Sequence, residues 1–264
     1  MSGSTGSSLR QPPAIQRLDH SPAPSQTASV STPELDLRLL NGFEFIGNGE
    51  PIFFPLAVQR LIAFLALSGR PLQRLYVACK LWIDTTEERA FANLRSTLWR
   101  ANRSGHRLVA AVSSQLALSP EVRVDVHEAK EQARRLLDGA APPEDLNLDG
   151  LALSAELLPD WYDDWVMIER ERYRQLGLHA LEALAQRLVA LGRYGEAVDA
   201  ALAAVAGEPL RESAHRTLIG IHVAEGNTSE ALRQYELFRT MLGDTLGLTP
   251  SPRMEELVAG LTRR

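Results

Sequence analysis

What this sequence lacks narrows its class first. It holds a single cysteine, Cys79, so neither an internal disulfide nor a cysteine-rich zinc site can form. Secreted domains usually carry paired cysteines, so a reducing cytoplasm is the expected compartment. No stretch reaches the roughly 18 uninterrupted apolar residues of a membrane helix, and no membrane partner is expected. The N-terminus has no apolar core of a signal peptide. There is no P-loop, no Gly-x-Ser-x-Gly and no His-Glu-x-x-His, and no nucleophile–base or metal constellation stands in their place. The expectation is therefore a protein that is not an enzyme and carries no cofactor or metal. His215 and His222 lie two turns apart on one helix face, a spacing that suits packing or surface histidines better than ligands. Cys79 falls at helical spacing with apolar neighbours, which predicts a buried, inert thiol. The four tryptophans (Trp82, Trp99, Trp161, Trp165) read as core side chains, with Trp99 under a wing or against sugar-phosphate.

What is present is an ordinary globular composition over 264 residues, 45% hydrophobic and 23% charged, with an uneven distribution of charge. The net charge is −5. Residues 54–107 carry nine basic side chains against three acidic ones, whereas residues 140–264 carry 12 arginines against 20 acids. A cationic module can meet phosphates; an anionic one repels them. Two modules with different partners are implied.

Residues 1–32 are rich in serine and proline and predict a disordered tail. Alternating leucines from Leu35, then the turn dipeptides Asn41-Gly42 and Asn48-Gly49, predict three short antiparallel strands over residues 35–54. Apolar spacing predicts helices over Val58–Ser68, closed by Gly69, and over Leu72–Trp82. Thr85 and Glu88 form a Thr-x-x-Glu capping box that opens a third helix, which ends near Ser104-Gly105. A hairpin follows, Leu108–Val112 and Gln115–Leu118, around Ser113-Ser114. Strands, three helices and a terminal hairpin, in that order, make a winged helix. A helix runs from Val124–Val126 through Leu137, an Ala/Pro-rich linker follows, and the remainder reads as helical. Gly192 and Gly226 stand 34 residues apart, and Glu196-Ala197 recurs at that offset as Glu230-Ala231. That is the period of tetratricopeptide helix pairs. The fold class is mainly α with a small β component: a winged helix-turn-helix followed by a tetratricopeptide-like helical repeat domain. The boundaries are a tail over 1–32, a winged helix over 33–122, a helix and linker over 123–145, and the helical domain over 146–264.

In a winged helix the third helix enters the major groove with its apolar face on the core. Phe91, Leu94, Leu98 and Ala101 form the apolar set here. The opposite set, Arg89, Asn93, Ser96, Thr97, Arg100 and Arg103, has the chemistry to read bases and hold phosphates. Arg95 accompanies it, and Arg60, Arg70, Arg107 and the helix N-terminus are candidates for the DNA backbone. Asp160, Asp163 and Asp164 flank Trp161 and Trp165; they read as favourable acids at a helix start around packed anchors, or as a cation or partner site.

At this point the segments Gln59–Leu72, Leu81-Trp82 and Ala92–Arg100 resemble the DNA-binding domain of the Streptomyces antibiotic regulatory protein family. Leu157–Trp165, Glu208–His215, Glu230–Glu236 and Leu246–Pro252 resemble that family's bacterial transcriptional activator domain. The resemblance covers residues 35–259. It implies an OmpR-type winged helix, binding to direct repeats of double-stranded promoter DNA, a homodimer on those repeats, and contact with RNA polymerase holoenzyme. Two features depart from the pattern. The wing has Gln115-Leu116 where the family has a Gly-Tyr pair, and Asn102 interrupts the arginines at the end of the third helix. Two other readings stay open: a protein-interaction scaffold with a degenerate winged helix, and a small-molecule sensor using the helical groove.

Overall fold

The computed structural model describes residues 35–103, 105–146 and 152–262, together with Met1 and Gly3. The tail expectation for residues 1–32 otherwise falls outside the described residues, as do Ser104 and the linker residues 147–151.

Three strands open the fold: β1 (Leu35–Arg38), β2 (Glu44–Gly47) and β3 (Glu50–Pro51). Both turns use left-handed backbone at an Asn-Gly pair, with φ of 63° at Asn41 and 52° at Asn48. The register Leu35↔Gly47 and Leu37↔Phe45 aims Leu35, Leu37 and Phe45 at the core, where each is 1% exposed. Helix α1 (Leu56–Ser68) buries every residue from Leu61 to Leu67 and stops at Gly69, whose φ of 61° costs glycine nothing.

Leu72 does not begin a helix, contrary to the spacing argument. Leu72 and Gln73 form β4, paired with Leu116 and Gln115, and α2 spans only Arg74–Leu81. A two-residue strand is invisible to periodicity because its hydrogen-bond partner lies more than forty residues on. Helix α3 (Glu87–Asn102) is capped by Thr86, whose hydroxyl accepts from the Arg89 amide. Thr85 instead donates its hydroxyl to the Trp82 carbonyl, so the capping-box reading was one residue early. The wing is β5 (Val109–Val112) and β6 (Gln115–Leu118), in a sheet ordered β4-β6-β5.

A further strand, β7 (Val122–Val124), runs parallel to β1 and completes a sheet ordered β3-β2-β1-β7. Helix α4 (Asp125–Leu137) follows at once. Two short 3₁₀ turns, Pro143–Asp145 and Ala152–Ser154, lead into α5 (Asp164–Ala190), α6 (Tyr194–Gly207), α7 (Glu212–Glu225), α8 (Thr228–Leu246) and α9 (Pro252–Thr262). The repeat is the pair α5/α6 followed by α7/α8. Gly192 and Gly226 close the first helix of each pair with φ of 73° and 86°, and Ala197 and Ala231 sit fully buried at equivalent crossings. No helix among the described residues is long and apolar enough to cross a membrane.

The strands and helices of the winged helix share one apolar core with the start of α5 and the segment before it. Leu157, Leu158, Val166 and Tyr173 belong to the same buried cluster as Leu37 and Phe64. Trp161 stacks on Phe43 with centroids 5.9 Å apart, and Trp165 meets Phe64 edge-on at 5.1 Å. The Asp125 carboxylate accepts the amides of Leu39 and Leu40 at 2.9–3.0 Å, tying β1 to the start of α4. Backbone bonds from Asn41 N to the Glu156 carbonyl, 2.7 Å, and from Leu158 N to the Leu39 carbonyl, 2.9 Å, complete the seam.

Candidate nucleic-acid interface

Helix α3 buries Ala90, Leu94, Thr97 and Ala101, a stripe at three- and four-residue spacing. Phe91 and Leu98, expected in that stripe, are only half-buried at its edge. Thr97 is 3% exposed and faces the core, so it leaves the set of DNA-facing residues. The mismatch is one of helix phase: three residues past Leu94 is the same face, and a threonine methyl packs there.

Opposite the stripe lie Ala92, Ser96, Trp99 and Arg103. Trp99 is 59% exposed, so this tryptophan is not a core side chain. The Arg103 guanidinium sits 4.8 Å from the centre of its ring, a cation–π stack. Arg95 and Ser96 are exposed beside it; Arg89 and Arg100 are exposed on the other flank, where Asn93 is half-buried. Arg107 is exposed between α3 and the wing. Among the described residues, Arg89, Arg95, Arg100 and Arg107 enter no salt bridge. The helical half behaves differently: Arg172, Arg174, Arg193, Arg211, Arg233 and Arg239 each pair with a glutamate. Among the described residues the arginines of α3 thus make no ion pair, while those six arginines of the repeat do. Such a face attracts a polyanion and releases its counterions.

The remaining candidates are dispersed. Arg60 binds Asp163 at the start of α5, with both side chains about three-quarters buried. It is a structural cation and not part of the α3 face. Asp163 is therefore engaged within the protein, and Trp161 and Trp165 are the packed anchors of that segment. Arg70 is exposed after α1 and lines a hollow with Ser119, Pro120 and His127, away from α3. Glu87 and Glu88 occupy the first turn of α3, so its N-terminus is already offset by carboxylates and is a poor phosphate seat. Cys79 is exposed, contrary to its apolar spacing.

Sequence reasoning passed over Arg74. It opens α2, its amide donates to the Ser114 carbonyl at 2.9 Å, and its side chain borders the cleft between α3 and the wing, with Arg95 and Trp99 on the far side. The short strand β4 fixes it there, and no local pattern announces that strand.

Residues 123–261 match the bacterial transcriptional activator domain family. The chain belongs to that family. Its membership is of the Streptomyces antibiotic regulatory protein type. It is 26% identical over 245 residues to the regulatory protein AfsR of Streptomyces griseus, covering 86% of this chain and 24% of that protein. It is 28% identical over 223 residues to the AfsR of Streptomyces coelicolor, covering 80% and 22%. The chain therefore spans about a quarter of the length of these relatives. Among solved structures, Mycobacterium tuberculosis EmbR in complex with a low-affinity phosphopeptide superposes with a TM-score of 0.68 at 22% identity, over 88% of this chain and 65% of that one. That likeness establishes the fold of this family member: a winged helix joined to a helical repeat.

Proposed function

We propose that this family member is a cytoplasmic transcriptional activator that reads double-stranded promoter DNA through α3. Residues 33–122 serve as the DNA reader, 123–145 as the junction, and 146–264 as the module that meets RNA polymerase holoenzyme or a second copy on direct repeats. The observation that carries this reading is the unpaired cationic face of α3. Arg89, Asn93, Arg95, Ser96, Arg100 and Arg103 line or flank that face, and the exposed Arg107 and the more distant Arg70 are candidates for flanking phosphates. The acidic balance of residues 140–264 supports a protein rather than a nucleic-acid partner for the repeat.

Selection from a random duplex pool, followed by titration of the recovered sequence across salt, tests this directly. A motif with a negative log–log salt slope is expected. Arg100→Ala or Asn93→Ala should relax preference at one base position by about 1–3 kcal/mol, while Arg70→Ala weakens all sequences alike. No binding even at low salt would overturn the DNA reading and return the scaffold to first place. Unchanged preference in Arg100→Ala would overturn the docking of α3.

A further inference from the structure

The cleft between α3 and the wing has a chemistry distinct from the outer face of the helix. Its floor is apolar, made by Leu98, Val109 and Leu116. Its rim holds Arg74 on the wing side and Arg95 and Trp99 on the helix side. Among the described residues no carboxylate lines it. It has a volume of about 320 Å³ and opens to solvent. Asn102 adds one amide to the lining, but the apolar floor itself offers a base edge no donor or acceptor. A deoxyribose-phosphate fits better, with one apolar sugar face and one anionic group. The indole of Trp99 is held by the Arg103 stack on one side, which leaves an exposed aromatic surface against which a sugar can pack.

We propose that this cleft is a seat for one sugar-phosphate unit of the DNA backbone, with Arg74 and Arg95 neutralising the phosphate and Trp99 packing on the sugar. This rests on the DNA reading above and deepens it. Arg74 is then a register-setting residue: β4 ties its backbone to the wing, so the phosphate it holds fixes where α3 enters the groove. It also gives the atypical wing a role as the wall of a phosphate seat, with no need of a Gly-Tyr tip.

The test uses the full chain with two duplexes of equal length, one the selected sequence and one random. Arg74→Ala should lose roughly tenfold in affinity on both duplexes, and its log–log salt slope should fall by about one. Arg74→Lys should keep the slope. Trp99→Ala should weaken both duplexes equally with the slope unchanged, since no charge is removed. A neutral methylphosphonate walked along each strand should reveal one position where the wild type loses affinity and Arg74→Ala loses no more. Trp99 is exposed and Arg74 half-buried, and thermal unfolding of each variant verifies that the fold is retained. Wild-type affinity and slope in Arg74→Ala would overturn the proposal while leaving DNA binding intact. So would an altered base preference in place of a uniform loss. If the wild type binds neither duplex at low salt, the DNA reading itself fails and the seat falls with it.

Discussion

His215 is 1% exposed within α7. Its Nε2–H donates to the Pro209 carbonyl at 2.9 Å, and its Nδ1 accepts from the Gln234 amide at 2.8 Å. Both bonds fit the neutral imidazole, whose ring lies 4.4 Å from Phe238. Burial pushes its pKa below the ordinary 6.5, only partly opposed by the bond to Pro209. The unfolded chain therefore takes up a proton more readily than the native one. The stabilisation is complete above pH 6.5 and is lost as pH falls from there toward the lowered native pKa. Thermal unfolding of the wild type should show a falling Tm across that window, and His215→Gln should flatten it. An equally steep slope in the variant would assign the effect elsewhere. The spacing of His215 and His222 suggested packing or surface positions from the sequence alone; the tautomer did not follow, because Gln234 becomes a neighbour only when α7 and α8 pair.

At the scale of elements, one substitution should act in opposite directions on two helices. A methyl at Gly177, inside α5, would lie 2.4 Å from the Leu153 carbonyl oxygen, where the second 3₁₀ turn crosses the helix. That atom belongs to the backbone and cannot swing aside. Gly177→Ala should destabilise by about 1–3 kcal/mol through overpacking. Gly220 lies inside α7 and nothing stands within 4 Å of its added methyl. Gly220→Ala should stabilise by about 0.5–1 kcal/mol through helix propensity. Denaturant titration checks both, and equal signs would contradict the packing described here. Helices α1 and α5–α8 and the wing hairpin were legible because each carries its own periodicity or turn residues. Strands β4 and β7 were not, since each is too short to carry a pattern and exists only through its partner strand. The same limit displaced Thr97: a one-residue error in helix phase moves a side chain from groove to core.

At the scale of the molecule, the seam between the winged helix and the repeat governs Arg60. Its pair with Asp163 spans that seam, and its Nε is buried without a partner. Arg60→Ala should cost about 1–3 kcal/mol of stability, since Asp163 would be left three-quarters buried and unpaired, and should leave the salt slope of DNA binding unchanged. A reduced salt slope with unchanged Tm would restore Arg60 to the DNA contacts. The shared core also predicts that the winged helix and the start of α5 unfold together, which tryptophan fluorescence reports because Trp82, Trp161 and Trp165 pack on that core.

By itself, the sequence determined the winged-helix and helical-repeat succession, though not β4 or β7, together with the 34-residue repeat, the separation of positive from negative charge and the family. Each is written in local spacing or composition, which survives without knowledge of what packs on what. The tertiary structure alone decided which arginines are free and which are consumed, that Trp99 faces solvent, and that Arg74 stands across a cleft from Arg95. Pairing and exposure depend on groups that meet through distant strands and helices, and a carboxylate 103 residues away can silence a cation that the sequence leaves conspicuous.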